Sequence, residues 1–224
     1  MKLTELKQHG IPDFVIDNLT KKNISKLNPG QEKAIKAGIL EGKNALICTP
    51  TGSGKTAIAT FTLTKILTEK PGSKVVYLVP LKALANDKFR EYQELLKDTG
   101  LTVIQSTGDI DSGSDWLGKY DLLILTVEKM DSLLRHHCSW LQQVRCVICD
   151  EVHLLNDTHR GPTLEILLTL LKDLSNIQII ALSATIGNPE ELAEWLNAEL
   201  VLDTWRPVKL NRGIYHQGEV EFYD

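Results

Sequence analysis

The chain has 224 residues, of which 42% are hydrophobic and 24% charged, with 25 Lys and Arg against 29 Asp and Glu. These proportions are those of an ordinary globular protein, and they exclude a disordered tail, a collagen-like repeat and a low-complexity array. The net charge of −4 provides no overall basic field. Any contact with nucleic acid therefore has to use a local basic face.

The chain contains no apolar run of the ~18 residues needed to span a membrane. Its first residues, Met1–His9, are too polar to form a secretory signal. We therefore expect a cytoplasmic protein that has no membrane partner.

Short apolar runs alternate with longer segments of helical periodicity along most of the chain. This alternation predicts an α/β fold with a doubly wound, mostly parallel sheet and helices on both faces. In such a fold, ligands bind in the loops that follow the carboxyl ends of the strands. The predicted strands are Asn44–Cys48, Val75–Val79, Leu101–Gln105, Leu122–Leu125, Val144–Cys149, Ile177–Leu182 and Glu199–Leu202.

Two of the four cysteines, Cys146 and Cys149, form a C-x-x-C pattern that is typical of zinc and redox sites. Both lie in a predicted strand, where residues three apart point to opposite faces. The two thiols therefore cannot share a metal ion, and we expect them to be buried and reduced.

The segment after the first predicted strand, Thr49-Pro-Thr-Gly-Ser-Gly-Lys-Thr56, has the pattern of a P-loop, although Thr49 replaces the usual first glycine. Glycines let successive backbone N–H groups point at phosphate oxygens, and the following helix adds its positive N-terminal dipole. Lys55 would reach the β and γ phosphates of ATP, and the Thr56 hydroxyl would ligate Mg²⁺. A glycine turn with a solvated lysine is the alternative. The predicted ATP-binding residues of this loop are Thr51, Gly52, Ser53, Gly54, Lys55 and Thr56.

Two adjacent carboxylates, Asp150 and Glu151, end the apolar strand Val144–Cys149 and are followed by Val152 and His153. Carboxylates at this position are costly to bury without a cation. We expect Asp150 to hold Mg²⁺ through water, and Glu151 to orient or deprotonate the water that attacks ATP. The alternative is an acidic turn on the surface. His153 either couples the nucleotide to a neighbouring element or caps the turn.

Ser183-Ala184-Thr185 follows the predicted strand Ile177–Leu182. The tripeptide is common and has no specificity by itself. Its position at the end of the next strand allows its two hydroxyls to form hydrogen bonds with the Asp150–His153 loop, so we expect Ser183 and Thr185 to couple to that loop.

The order of these three motifs, each at a strand end, resembles the first RecA-like domain of superfamily-two DExH helicases. The segments Pro80-Leu-Lys-Ala-Leu-Ala85 and Trp205-Arg-Pro-Val208 are most similar to those of the archaeal Hjm-type, Ski-like DNA helicases. Further matches are Leu27-Asn-Pro-Gly-Gln31, Ser106-Thr-Gly-Asp109, Thr126-Val-Glu-Lys129 and Arg160-Gly-Pro-Thr-Leu-Glu165. The resemblance covers essentially the whole chain.

The resemblance implies a helical segment at 1–26, a RecA-like ATP-binding domain at 27–203 and a connector at 204–224. It also implies that Gln31 reads the adenine edge of ATP, although Asn28-x-x-Gln31 is equally the pattern of a helix capping box. Residues that would contact the nucleic-acid backbone are Pro80, Lys82, Thr107, Gly108, Thr126 and Lys129. Lys82 and Lys129 have a simpler alternative role as solvated lysines at helix ends.

Helicases of this kind close two RecA-like domains around Mg²⁺ and ATP, and the second domain supplies an arginine finger. An arginine finger is worth about 10³–10⁵ in turnover. We therefore expect this chain to bind Mg·ATP but to hydrolyse it poorly, and to need a second RecA-like domain of the same protein as its partner. The resemblance implies 3′-to-5′ translocation on single-stranded or forked DNA in replication-fork repair, in a nucleoid-associated protein. An RNA helicase and a P-loop module that is not a motor remain the alternatives.

Overall fold

The computed structural model describes residues 1–108, 114–174 and 176–223. Asp109, the last residue of one motif quoted above, and Asp224 lie outside the described residues. No helix in the described part of the chain is both long enough and apolar enough to cross a membrane.

Seven strands form one parallel sheet, as the sequence predicted, in the order β3-β4-β2-β5-β6-β1-β7. The inner strands are fully buried because both faces of the sheet are covered, which explains their continuous apolar sequences. The strands are β1 Ala45–Cys48, β2 Lys74–Val79, β3 Val103–Ser106, β4 Leu122–Thr126, β5 Val144–Cys149, β6 Gln178–Ser183 and β7 Glu199–Leu202.

Helices cover both faces of this sheet, in two hydrophobic clusters. The first four helices pack on one face and the last three on the other. Cys146 belongs to the first cluster and Cys149 to the second, so the two thiols point to opposite faces as predicted. The helices are α1 Asp13–Lys21, α2 Pro29–Lys36, α3 Lys55–Glu69, α4 Lys82–Leu95, α5 Val127–Arg135, α6 Gly161–Asp173 and α7 Pro189–Trp195.

The N-terminal residues pack against the first face of the sheet. A 3₁₀ helix at Leu3–His9 and helix α1 bury Leu6, Val15 and Leu19 in the first cluster. Leu27 N–H donates to the backbone oxygen of Met1 over 3.0 Å, which returns the chain to its start just before α2.

The segment after Trp205, which we expect to be a connector, contains an antiparallel hairpin. Its strands are β8 Arg212–His216 and β9 Glu219–Tyr223, and every residue in them is exposed. The turn between the strands is Gln217-Gly218, with φ of 49° and 92°. Positive φ at both turn residues matches the twist of two-residue hairpins. The sequence signal for this hairpin was the Gln217-Gly218 turn followed by alternating polar and apolar residues in Glu219-Val-Glu-Phe222.

Candidate nucleotide-binding site

Three neighbouring strands of the sheet deliver the predicted nucleotide motifs to one edge. The P-loop follows β1, the Asp150–His153 loop follows β5, and Ser183 ends β6. Because β5, β6 and β1 are adjacent and parallel, their carboxyl ends meet at the same place. The pairing of Cys48 with Ser183 places the end of β6 directly beside the start of the P-loop.

The P-loop backbone curls because two of its residues take left-handed conformations. Gly52 has φ of 80° and Gly54 has φ of 82°. L-residues with a Cβ rarely adopt this region, whereas glycine enters it without steric cost. Gly54 also has little space, since a Cβ there would lie 2.7 Å from the Gln31 side-chain nitrogen.

Thr49 has a structural role of its own at the position where the usual pattern has glycine. It is buried, and its Oγ1 lies 2.7 Å from Ser53 Oγ, which closes the loop across its mouth. Its φ is not in the left-handed region, so no glycine is needed there. The departure from the usual pattern therefore leaves the loop geometry intact.

Lys55, the first residue of α3, has its ammonium folded back onto the loop. Its Nζ donates to the backbone oxygens of Thr49 at 2.8 Å and Pro50 at 3.3 Å. Burial lowers the pKa of this ammonium, and the negative charges of Glu151 and Asp150 partly oppose that effect. A half-buried cation whose hydrogen-bond partners are neutral carbonyls is suited to an anionic ligand such as a phosphate.

Asp150 is held by two hydrogen bonds at the end of β5. The Tyr77 hydroxyl donates to Oδ2 over 3.0 Å, and the Glu151 N–H donates to Oδ1 over 3.1 Å. Tyr77 is fully buried in β2, and this burial raises the pKa of its phenol well above the ordinary value. The phenol therefore stays protonated, and its hydrogen bond orients the Asp150 carboxylate.

Glu151 takes a left-handed conformation, with φ of 55° and ψ of 43°, immediately before a 3₁₀ helix at Val152–Asn156. Such a conformation in a residue other than glycine costs about 1–3 kcal/mol and is typical of functional sites. Its Oε2 lies 3.2 Å from His153 Nδ1, close enough for electrostatic attraction but not aligned as a hydrogen bond.

The expected coupling residues lie on neighbouring segments. His153 shares a cavity of about 330 Å³ with Ile186 and Asn188, which come just after Ser183-Ala-Thr185. Ser183 is fully buried, while Thr185 is exposed. The loop after β5 and the segment after β6 therefore face each other across this cavity.

Gln31 forms the capping box that its spacing predicted. Its N–H donates to Asn28 Oδ1 at 2.9 Å, and the Asn28 N–H donates to Gln31 Oε1 at 3.0 Å. Both side chains also reach the P-loop: Asn28 Nδ2 donates to the Ser53 oxygen at 2.6 Å, and Gln31 Nε2 donates to the Gly54 oxygen at 3.2 Å. The capping box thus ties the start of α2 to the phosphate-binding loop.

The residues predicted to contact nucleic acid lie along the other half of the same edge. Pro80 and Lys82 follow β2, Thr107 and Gly108 follow β3, and Thr126 ends β4. These three strands are neighbours in the sheet. Pro80 and Glu151 line one small cleft together with Arg160, so the two halves of the edge meet beside the carboxylates.

Two of these residues are not presented to solvent. Thr126 is buried, and its hydroxyl caps α5 by accepting from the Lys129 N–H at 3.3 Å. Lys129 is 3% exposed, so the alternative of a solvated lysine is wrong at this position. Lys82 is exposed and fits both of its suggested roles.

Sequence reasoning missed Tyr77 and Lys88, and it gave Asn28 a capping role without its contact with the P-loop. Lys88, on α4, donates from Nζ to Thr56 Oγ1 at 3.0 Å and lies 5.7 Å from the centre of the Tyr77 ring. In the sequence Tyr77 is one apolar residue of a buried strand and Lys88 one charge of a polar helix, so neither carries a recognisable signal.

The residues at this edge fit a bound Mg²⁺. Its ordinary protein donors are hard oxygens from one or two residues, with phosphates and waters completing the shell. Thr56 and Asp150 provide a hydroxyl and a carboxylate, and Thr56 Oγ1 already accepts a hydrogen bond from the positively charged Lys88 ammonium. The described residues contain no cluster of three or more His, Cys, Asp or Glu that could hold a metal without such help.

Comparisons with known proteins agree with this geometry. The chain is 52% identical over 224 residues to the ATP-dependent DNA helicase Hel308 of Pyrococcus horikoshii, covering 100% of this chain and 30% of that protein. It is 49% identical over 215 residues to Hel308 of Methanocaldococcus jannaschii, covering 94% of this chain and 18% of that protein. The chain thus spans less than a third of the length of these relatives.

A crystal structure of the DUF1998 helicase MrfA bound to DNA has a similar fold. It superposes with a TM-score of 0.76 at 26% identity, covering 87% of this chain and 30% of that one. Residues 28–192 match the sequence profile of the DEAD/DEAH box helicases, from the capping asparagine of α2 to the interior of α7. The chain belongs to the DEAD/DEAH box helicase family.

Proposed function

We propose that this chain is the ATP-binding motor domain of an ATP-dependent DNA helicase. The observation that supports the proposal most directly is the meeting of Lys55, Asp150 and Glu151 at one sheet edge, where both carboxylates act electrostatically on the lysine. A cation for phosphate, a carboxylate for metal and a carboxylate for water are the parts that phosphoryl transfer to water requires. The similarity to proteins named ATP-dependent DNA helicase supports DNA as the track.

Each residue has a separate part in the proposed reaction. Thr51, Gly52, Ser53 and Gly54 would donate backbone N–H groups to phosphate, and Lys55 would neutralise the β and γ phosphates. Thr56 and Asp150 would hold Mg²⁺, Asp150 through water, and the metal would draw charge from the phosphate oxygens.

Glu151 would orient or deprotonate the attacking water, while Gln31 would read the adenine edge. The left-handed backbone of Glu151 is a conformation typical of functional sites.

In the intact protein we expect 3′-to-5′ translocation along single-stranded or forked DNA. Pro80, Lys82, Thr107 and Gly108 would contact its backbone, whereas Thr126 and Lys129 are buried and are not carried forward as contacts. Contact through backbone amides suits a motor, because phosphate contacts position a strand without reading its sequence. His153, Ser183 and Thr185 would relay the state of the nucleotide. We expect such a protein to be cytoplasmic and associated with the nucleoid.

The first experiment measures Mg·ATP binding and steady-state ATP hydrolysis by this chain, with and without single-stranded DNA. We expect binding with little turnover, and turnover restored when a second RecA-like domain of a Hel308 relative is added in trans. Robust DNA-stimulated hydrolysis by the chain alone would contradict the need for a partner domain. Competition between DNA and RNA of equal sequence would show which nucleic acid is preferred.

Two variants assign the roles of charged groups. Lys55→Ala removes the phosphate cation and should abolish Mg·ATP binding. Glu151→Gln keeps the shape of the side chain but cannot take a proton, so it should bind Mg·ATP normally and lose the turnover measured with the partner domain. Loss of binding in Glu151→Gln would instead make this residue structural.

A further inference from the structure

The ammonium of Lys88 contacts one of the two residues that would hold Mg²⁺ and the residue that supports the other. Its Nζ donates to Thr56 Oγ1 at 3.0 Å and to Glu91 Oε2 at 3.0 Å. It also faces the ring of Tyr77, whose hydroxyl is bonded to Asp150 Oδ2. One lysine of α4 therefore contacts the proposed metal ligand directly on one side and the support of the second ligand on the other.

Lys88 is not an ordinary surface lysine. Its side chain is only 15% exposed, although a lysine paired with a glutamate one turn away is normally solvated and contributes little to stability. The contact with Thr56 crosses from α4 to α3, and it is repeated one turn later by the Tyr92 hydroxyl, 3.2 Å from Thr60 Oγ1. The two contacts fix the position of the ammonium relative to the P-loop helix.

A metal ion and an ammonium compete at a single hydroxyl oxygen. Thr56 Oγ1 would coordinate Mg²⁺ through an oxygen lone pair, and the Lys88 ammonium donates a hydrogen bond to that same oxygen. Two cations held at one oxygen repel each other, and the repulsion is stronger in a partly buried site than in water. Glu91 offers the ammonium a second position within reach, because it already accepts from Nζ.

We propose that Lys88 is a positioning residue whose ammonium competes with Mg²⁺ for the Thr56 hydroxyl and withdraws toward Glu91 when the metal–nucleotide complex binds. This inference rests on the proposed function, because it requires nucleotide at the P-loop. Helix α4 begins at Lys82, directly after Pro80 and Leu81. Lys88 and Lys82, a predicted nucleic-acid contact, therefore belong to the same helix.

The test measures how ADP binding to this chain depends on free Mg²⁺, by calorimetry, and counts bound Mn²⁺ by electron paramagnetic resonance. Lys88→Met retains the apolar stem over Tyr77 and removes the charge. The free metal concentration at half-saturation should fall about tenfold, within the usual range of coupling between two ligands. Lys88→Gln serves as a second neutral variant if Lys88→Met loses its cooperative thermal transition.

Two control variants separate charge from packing. Lys88→Arg keeps the positive charge and should bind metal like the unmodified chain. Lys65→Met removes another largely buried lysine, which pairs with Glu69 and the His9 oxygen away from Thr56, and should leave metal binding unchanged. A shift in Lys88→Arg equal to that in Lys88→Met would overturn the competition.

Glu91 provides an independent check by a double-mutant cycle. Glu91→Gln removes the carboxylate that receives the ammonium, so more Mg²⁺ should be needed for half-saturation. In the Lys88→Met background the same change should have no effect, because no ammonium remains to be received. An equal effect of Glu91→Gln in both backgrounds would show that Lys88 is not involved.

The outcomes distinguish this inference from the proposed function. If the unmodified chain shows no Mg²⁺-dependent nucleotide binding, the proposed function fails. If it binds and Lys88→Met needs the same concentration of Mg²⁺, Lys88 is only structural and the inference alone fails. If Lys88→Met needs more Mg²⁺, the ammonium assists binding and competition is excluded.

Discussion

Thr49 stands where the usual P-loop pattern has glycine, and its buried hydroxyl bonds Ser53 across the loop. The two glycines that the backbone requires are Gly52 and Gly54, both with positive φ. The first position therefore tolerates a side chain because its backbone φ is not positive, whereas Gly52 and Gly54 lie in the left-handed region that favours glycine.

The two glycines differ in the space around them, which allows a matched comparison. Gly52→Ala should destabilise the fold by about 1–2 kcal/mol, the cost of a left-handed alanine, because nothing lies within 4 Å of the added Cβ. Gly54→Ala should cost about 1 kcal/mol more, because its Cβ would displace Gln31 Nε2 from the Gly54 oxygen.

Urea unfolding of both variants measures this difference, and ADP binding shows whether the loop keeps its shape. Gly187→Ala, at a position with open space and no positive φ, serves as the neutral control. Equal destabilisation of Gly52→Ala and Gly54→Ala would show that the contact with Gln31 does not constrain the loop.

At the scale of elements, α2 and the P-loop behave as one unit. Asn28 caps α2 through its Oδ1 and holds the Ser53 oxygen through its Nδ2, so a single side chain serves both elements. A helix cap is ordinarily a local feature, whereas this one reaches 25 residues along the chain to the phosphate-binding loop.

Asn28→Ala should therefore lower both stability and nucleotide affinity. The loss of a cap costs about 0.5–2 kcal/mol, and the lost bond to the Ser53 oxygen adds about 1 kcal/mol. Asn188→Ala is the matched control, because Asn188 is the N-cap of α7 but its side chain makes no capping bond. Chemical denaturation and ADP titration measure the two effects. A normal nucleotide affinity in Asn28→Ala would contradict the link between α2 and the loop.

The hairpin β8–β9 contrasts with the main sheet, because all of its residues are exposed. Two-stranded hairpins without a packed face are marginally stable in water. Amide hydrogen exchange followed by mass spectrometry should show hairpin amides exchanging within seconds, while those of β2 and β5 exchange only through global unfolding. Protection of β8–β9 comparable to that of β7, the edge strand of the main sheet, would contradict this expectation.

At the scale of the whole molecule, several acidic groups are buried in their neutral forms. Burial raises the pKa of Cys48 from 9.0 to about 11 and that of Cys149 from 9.0 to about 12. Burial likewise raises the pKa values of Cys146, Tyr77 and Tyr92. Because the unfolded chain releases these protons first, stability is fully present below pH 9 and falls as the pH rises above it.

Urea midpoints measured from pH 7.5 to about pH 10.5 should therefore decline once the ordinary thiol pKa is passed. The Cys48→Ala and Cys149→Ala variants should decline less steeply, since each removes one group that ionises only on unfolding. A flat profile for the unmodified chain would show that these thiols already ionise in the folded protein.

The sequence by itself determined the parallel α/β fold, its seven main strands, the opposite directions of Cys146 and Cys149 and the capping box at Asn28 and Gln31. Such features follow from periodicity and from motifs a few residues long, which report local backbone geometry. The hairpin β8–β9 was not predicted, because alternation of strands and helices along the chain does not indicate a short isolated hairpin.

Only the tertiary structure decided that Tyr77 supports Asp150, that Lys129 is buried and that Lys88 contacts Thr56. The Tyr77 and Lys88 contacts join residues 73 and 32 positions apart, in strands and helices whose adjacency depends on the order of the sheet. A side chain's partners across such distances are set by how layers pack. Local sequence therefore places the motifs at the strand ends, while packing selects which neighbours act on them.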